Sequence, residues 1–123
     1  ETEKHYIARV SGQVEADSGS INLPLICDWP NRPKQKVCFE HGKPSLTHYQ
    51  VLQREEHFSR LKLTPVTGRS HQLRVHLQWL QHPILGDKFY GDAKGRLQLH
   101  AEKLILTHPT TGQRLHFITK SPF

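Results

Sequence analysis

The nine residues Gly68–His76, GRSHQLRVH, hold two arginines and two histidines directly after LKLTPVT. An arginine is a permanent cation whose planar fork meets a carboxylate or phosphate with two parallel hydrogen bonds. Where such a stretch opens a helix, the first backbone N–H groups lack intrahelical partners and attract the same ligands. Arg69 sits beside that start, and Arg74 lies further in, with His71 one turn before it on the same face. The chemistry on offer is the holding of an anion. A solvated basic helix face is the plain alternative, and the pattern leaves both open.

Other chemistries find less support. His71 and His76 are five residues apart, so they do not share a helical face as a four-residue spacing would allow. Cys27 and Cys38 form no close pair, and no structural zinc spacing is matched. Asp17 falls in a turn, Asp28 in a proline-rich loop, and Asp87 and Asp92 in LGDKFYGD, which reads as a loop with a structural turn. No serine or cysteine stands beside a base in a known nucleophile pattern. On these residues alone the chain reads as a basic binding module.

The elements that position these residues follow from periodicity. KHYIARVSG alternates, with Tyr6, Ala8 and Val10 on one side and His5, Ile7 and Arg9 on the other, so a strand begins almost at the first residue and the chain looks cut. EADSG is a turn, and SINLPLI a short strand whose Pro24 suggests an edge or bulge. In CDWPNRPKQKVCFEHGKP the prolines remove backbone donors, which predicts an exposed loop or irregular hairpin. SLTHYQVLQRE and HFSRLKLTPV read as paired strands, as do LQLHAEKLILTHP and QRLHFITK. Between these pairs the spacing predicts one helix from Ser70 to about Gln81. Leu73, Leu77 and Leu80 form its apolar stripe, Ser70 its N-cap, and His82–Pro83 its stop. The expected fold is α+β, a mostly antiparallel sheet with one main helix packed on it.

Length and composition set outer bounds. The 123 residues suffice for one domain with a core. Seventeen Lys plus Arg against eleven Asp plus Glu give a formal charge of +6, which favours a polyanionic partner, most often nucleic acid. Two cysteines, no apolar run of membrane-span length and no secretory pattern predict free thiols, a cytoplasmic setting and no membrane partner.

Taken in order, TGRSHQLRVH, HPILGDKFYG and LQLHA, with KHYIARVSG at the start, resemble the C-terminal half of the RluA-type pseudouridine synthases across nearly the whole chain. LPLICDWPNRPKQKVC is similar to the members of that family that act on both ribosomal and transfer RNA. The resemblance implies an isomerase of structured RNA, including ribosomal RNA and the tRNA anticodon stem-loop, working without cofactor or metal. The target uridine is flipped into a pocket at a cost of a few kcal/mol. An aspartate attacks, the glycosidic bond breaks, the uracil turns, and C5 bonds to the sugar.

Carried over residue by residue, the family's tyrosine falls on Tyr6, the arginine that pairs with the aspartate on Arg74, and the apolar residue beneath the base on Leu99. Arg69 and His71 are placed for RNA phosphate or for building the helix start. In the proline-rich loop, Trp29 can stack on a base and Arg32, Lys34 and Lys36 can meet phosphates. The family's H-R-L-D-x-x-T-S-G nucleophile segment has no counterpart in these residues. The expectation is therefore that residues 1–123 are the C-terminal portion of a single catalytic domain, inactive alone, with the N-terminal part of that domain as partner. Tyr6 and Arg74, 68 positions apart, should line one pocket, with Arg74 aimed at a gap rather than paired within the chain. The alternatives are a non-catalytic RNA-binding domain of the same fold and a metal-binding regulatory module.

Overall fold

Strands that alternate apolar and polar residues bury one face only, and that face needs a cover. In the computed structural model, which describes residues 2–107 and 110–123, one helix supplies it. Among the described residues eight strands form: β1 (Thr2–Ser11), β2 (Ser18–Asn22), β3 (Leu25–Cys27), β4 (Gln35–Val37), β5 (Leu46–Arg54), β6 (Phe58–Pro65), β7 (Leu99–Thr107) and β8 (Arg114–Ile118). The helix is α1 (Gln72–Trp79). Six strands make an antiparallel sheet in the order β2-β5-β6-β1-β7-β8, and β3 and β4 pair apart from it. The predicted α+β class, its paired strands and its single helix are all present. His108 and Pro109, read as the end of a strand, lie outside the described residues.

Register explains the core. Ala8 sits opposite Leu61 on β6 and Leu99 on β7, while Tyr6 sits opposite Leu63. Ala8, Val10, Leu61 and Leu63 therefore share one face, and they pack with Leu73, Leu77 and Ile84. Leu80 is half-buried against the same cluster, so the predicted leucine stripe faces the sheet. Full burial of one such leucine contributes about 1.5–3 kcal/mol. The pairing of β1 with β7 shifts between His5 and Tyr6, a bulge that sits beside the cavity described below.

Two local expectations need correction. SINLPLI is not one strand. Its first half is β2 in the main sheet, and beyond Pro24 the chain turns into β3, which pairs with β4 as an irregular hairpin tipped by a short helical turn at Trp29–Asn31. Alternation cannot reveal that a strand changes sheets. The helix is also shorter than Ser70–Gln81, and Ser70 is not its cap. His71 takes the cap position in a left-handed conformation (φ 55°) with no side-chain capping bond. The side chain of Gln72 does the joining instead. Its Oε1 accepts from the Arg69 N–H (3.1 Å) and the Thr67 hydroxyl (2.6 Å), and its Nε2 donates to the Leu46 carbonyl and Thr47 Oγ1 (2.9 Å each). This ties the start of α1 to β5.

The far side of α1 is held by the hairpin. Val75 packs with Leu25 of β3 and Tyr90, flanked by Val37 and Phe89. The helix thus lies between the sheet and the β3–β4 hairpin, and the loop carrying Phe89 and Tyr90 is pinned against its first turn.

Candidate functional site

A cavity of about 580 Å³ opens where β1, the end of β6, the start of α1 and the start of β7 converge. Lys4, Tyr6, Arg69, His71, Arg74, Leu97 and Leu99 are among its lining residues. Three cations line it and no Asp or Glu does; Asp87 behind the wall offsets the charge of Arg74, which leaves Lys4 and Arg69 as the net positive groups. Fields from like charges around a concave, low-dielectric wall add, so the cavity suits an anion. Tyr6 and Arg74 do line one pocket, and Leu99, Arg69 and His71 join them there.

Arg74 departs from expectation. It is paired within the chain: its Nε donates to Asp87 Oδ2 (2.9 Å) and its Nη2 to Asp87 Oδ1 (2.7 Å). Asp87 is fully buried, and its Oδ1 also accepts the backbone N–H groups of Phe89 (3.0 Å) and Tyr90 (3.1 Å). Burial pushes this carboxyl up, but the hydrogen bonds from Arg74, Phe89 and Tyr90 and the Arg74 charge outweigh it, and the net shift is downward. The same bond from Asp87 raises Arg74. The Phe89 and Tyr90 rings each lie 5.3 Å from the guanidinium carbon. The carboxylate that Arg74 holds in this structure is therefore Asp87, from a loop read only as a turn. Gly86, at φ +79°, lets that loop form: a Cβ there would fall 2.0 Å from the Arg96 carbonyl oxygen. The available signal was an aspartate followed by two aromatics between two glycines.

His71 is fixed by a relay that sequence reasoning missed. The Tyr90 hydroxyl accepts the Gln35 N–H of β4 (2.8 Å) and is hydrogen-bonded to His71 Nδ1 (2.7 Å). Burial lowers the His71 pKa, as does the Arg74 charge, against a smaller upward pull from Asp87. The ring also stacks on Phe89 at 5.7 Å. Arg69 donates through Nε and Nη2 to the Pro44 carbonyl (3.2 and 3.1 Å), so part of its role is to build the helix start.

The proline-rich hairpin presents its candidates at the surface. Trp29 is 68% exposed, and the Arg32 guanidinium sits 4.0 Å from its ring centroid while donating to the Trp29 carbonyl (2.9 Å). Lys34 lies 5.9 Å from the Tyr90 ring, and Lys36 is exposed on β4. None of these four residues lines the cavity. The hairpin reaches the cavity through Gln35, Tyr90 and His71.

His76, the second histidine of the helix, is a structural residue of the interior. Fully buried, it accepts the Thr47 hydroxyl at Nδ1 (2.9 Å) and donates from Nε2 to the Leu23 carbonyl (3.0 Å). Among the described residues no group of three or more His, Cys, Asp or Glu is placed to hold a metal ion.

Comparison with known proteins places these features. The family model described as RNA pseudouridylate synthase matches residues 1–79. A protein of Yersinia pestis named dual-specificity RNA pseudouridine synthase RluA is 57% identical over 129 residues, covering all of this chain and 63% of the relative. The Vibrio vulnificus protein of that name is 63% identical over 118 residues, covering 88% of this chain and 47% of the relative. The Escherichia coli K12 protein of that name is 51% identical over 129 residues, covering all of this chain and 59% of the relative. The match falls on the C-terminal part of these proteins. Among solved structures, human RNA pseudouridylate synthase domain containing 1 superposes with a TM-score of 0.87 at 30% identity, over 99% of this chain and 56% of its own.

Proposed function

We propose, for a chain that belongs to the RNA pseudouridylate synthase family, that residues 1–123 form the C-terminal portion of one catalytic domain that isomerises uridine to pseudouridine in ribosomal and transfer RNA. The observation that carries this reading is the convergence of Tyr6, Arg74 and Leu99 on one cation-lined cavity. Uridine and pseudouridine are isomers, so the reaction consumes no co-substrate. The nucleophilic aspartate comes from a segment outside these residues. A flipped base enters over Leu99, and its phosphates meet the cationic rim of Lys4 and Arg69. Arg74 offers the incoming carboxylate the guanidinium edge that Asp87 leaves free, which keeps that carboxylate ionised at neutral pH. Tyr6 lies against the base and helps remove the C5 proton once the new C–C bond has formed. Structured RNA, including the anticodon stem-loop, docks on the Trp29–Lys36 hairpin, and the N-terminal part of the domain completes the cavity. The free thiols of Cys27 and Cys38 fit a reducing cytoplasm.

The Arg74–Asp87 pair favours a non-catalytic RNA-binding domain, because the guanidinium already has a carboxylate. Arg74→Lys in the complete protein separates the two readings. Lysine keeps the charge and loses the fork. Loss of one charge-assisted hydrogen bond, about 1.5–3 kcal/mol, predicts turnover lower by roughly 10- to 150-fold. RNA affinity should stay within about twofold. Unchanged turnover removes Arg74 from the chemistry.

A further inference from the structure

An arginine has five N–H donors arranged along distinct edges, and a partner on one edge fixes the direction of the others. Asp87 takes the Nε and Nη2 donors of Arg74. Among the described residues Nη1 has no hydrogen-bond partner. Arg74 lines the cavity and Asp87 does not, so the aspartate grips the guanidinium from behind the wall. Its own position is over-determined: the carboxylate accepts two backbone N–H groups, and the Asp87 carbonyl accepts the Gly91 N–H (2.8 Å). The Phe89 and Tyr90 rings that follow in the same loop lie against the guanidinium. A long, flexible side chain is thus held in one orientation before any substrate arrives, which removes an ordering cost from each encounter.

We propose that Asp87 is the positioning residue of Arg74, fixing its guanidinium from behind so that the Nη1 edge meets the nucleophilic carboxylate. The proposal rests on the reading above that Arg74 meets that carboxylate. It assigns the LGDKFYG loop a task in the reaction beyond forming a turn.

The test uses the complete protein and an RNA hairpin substrate, with single-turnover rate and RNA Kd measured separately. Asp87→Asn, with its carbonyl oxygen in the Oδ1 place, keeps the acceptor for the Phe89 and Tyr90 N–H groups and for Arg74 Nη2, removes the carboxylate charge and sets an amide NH2 against the Arg74 Nε–H. The rate at saturating RNA should fall by at least about tenfold, since misplacement by about 1 Å can cost on the order of a hundredfold. Kd should stay within about twofold. A wild-type rate, or a Kd that worsens by the same factor as the rate, overturns the proposal. Should that variant not fold, Asp87→Glu carries the same test, because it keeps the charge and displaces the fork by one methylene; a wild-type rate there overturns the proposal equally. The unmodified protein gives an independent reading by NMR. The Arg74 Nε–H should exchange slowly with solvent, and exchange as fast as that of surface arginines contradicts a fixed guanidinium. If Arg74→Lys turns over normally, the reading of Arg74 itself fails. If Arg74→Lys is impaired while Asp87→Asn is normal, only the role of Asp87 fails.

Discussion

Replacing His76 by alanine should destabilise the fold by about 3–5 kcal/mol, more than any surface histidine would. The magnitude follows from its partners. The Leu23 carbonyl loses its donor, at about 1–3 kcal/mol for a buried group left unpaired. Thr47 loses the acceptor for its hydroxyl proton, worth about 1 kcal/mol net, although Gln72 still donates to the same oxygen. Truncating a fully buried ring leaves a cavity that adds to both. Reversible urea or thermal unfolding of the complete protein measures the sum, which should appear as a Tm lower by about 10 °C. The pH dependence has a definite sign. Burial holds the His76 pKa below its usual value, with the Leu23 carbonyl pulling part of the way back. Between the lowered native pKa and about 6.5 the unfolded chain binds a proton that the native state refuses. The contribution is complete above about pH 6.5 and is lost as pH falls toward the native pKa. His71, shifted in the same direction, adds to this slope. A loss below about 1 kcal/mol, or a pH slope unchanged in His76→Ala, would refute the reasoning.

Two further outcomes concern the reaction and its substrate. Tyr6→Phe in the complete protein should keep RNA affinity within about twofold and lose turnover by tenfold or more; equal losses in both would make Tyr6 a packing residue. Changing Arg32, Lys34 and Lys36 together to alanine should weaken RNA binding and lower the slope of log K against log salt by up to about three phosphate contacts, whereas an unchanged slope places the hairpin outside the interface.

Much of the fold was legible because its strands are half-buried. In β5 and β6 the alternation matches burial closely enough that Leu61 and Leu63 can be assigned to the core from the residues alone. Periodicity says which face a residue takes but not which sheet it joins, so SINLPLI hid the corner at Pro24 where β2 gives way to β3. The helix start was misread for a related reason. Ser70 has the right type for a cap, but Gln72 reaches both Thr67 and β5 and captures the turn first.

The site was legible unevenly. Arg74 stands out by type and position on α1, yet its partner lies 13 residues away in an irregular loop, where no period links the two. Tyr6 and Leu99 carry no local signal of chemistry. Their place beside Arg74 follows from the pairing of β1 with β7, and the family resemblance, not their spacing, pointed to it. His76 looked like its neighbours in a histidine-rich chain. Only the arrival of Thr47 and Leu23 from other elements makes it structural.

The central claim is that these residues complete a uridine-isomerising cavity and take their nucleophile from outside themselves. Release of tritium from RNA carrying 5-tritiated uridine tests it most directly, because forming the C5 glycosidic bond expels that hydrogen. The complete protein should release tritium from an anticodon stem-loop RNA, and residues 1–123 alone, shown to be folded by circular dichroism, should release none. Release by residues 1–123 alone, or none from the complete protein on either ribosomal or transfer RNA, would contradict the account.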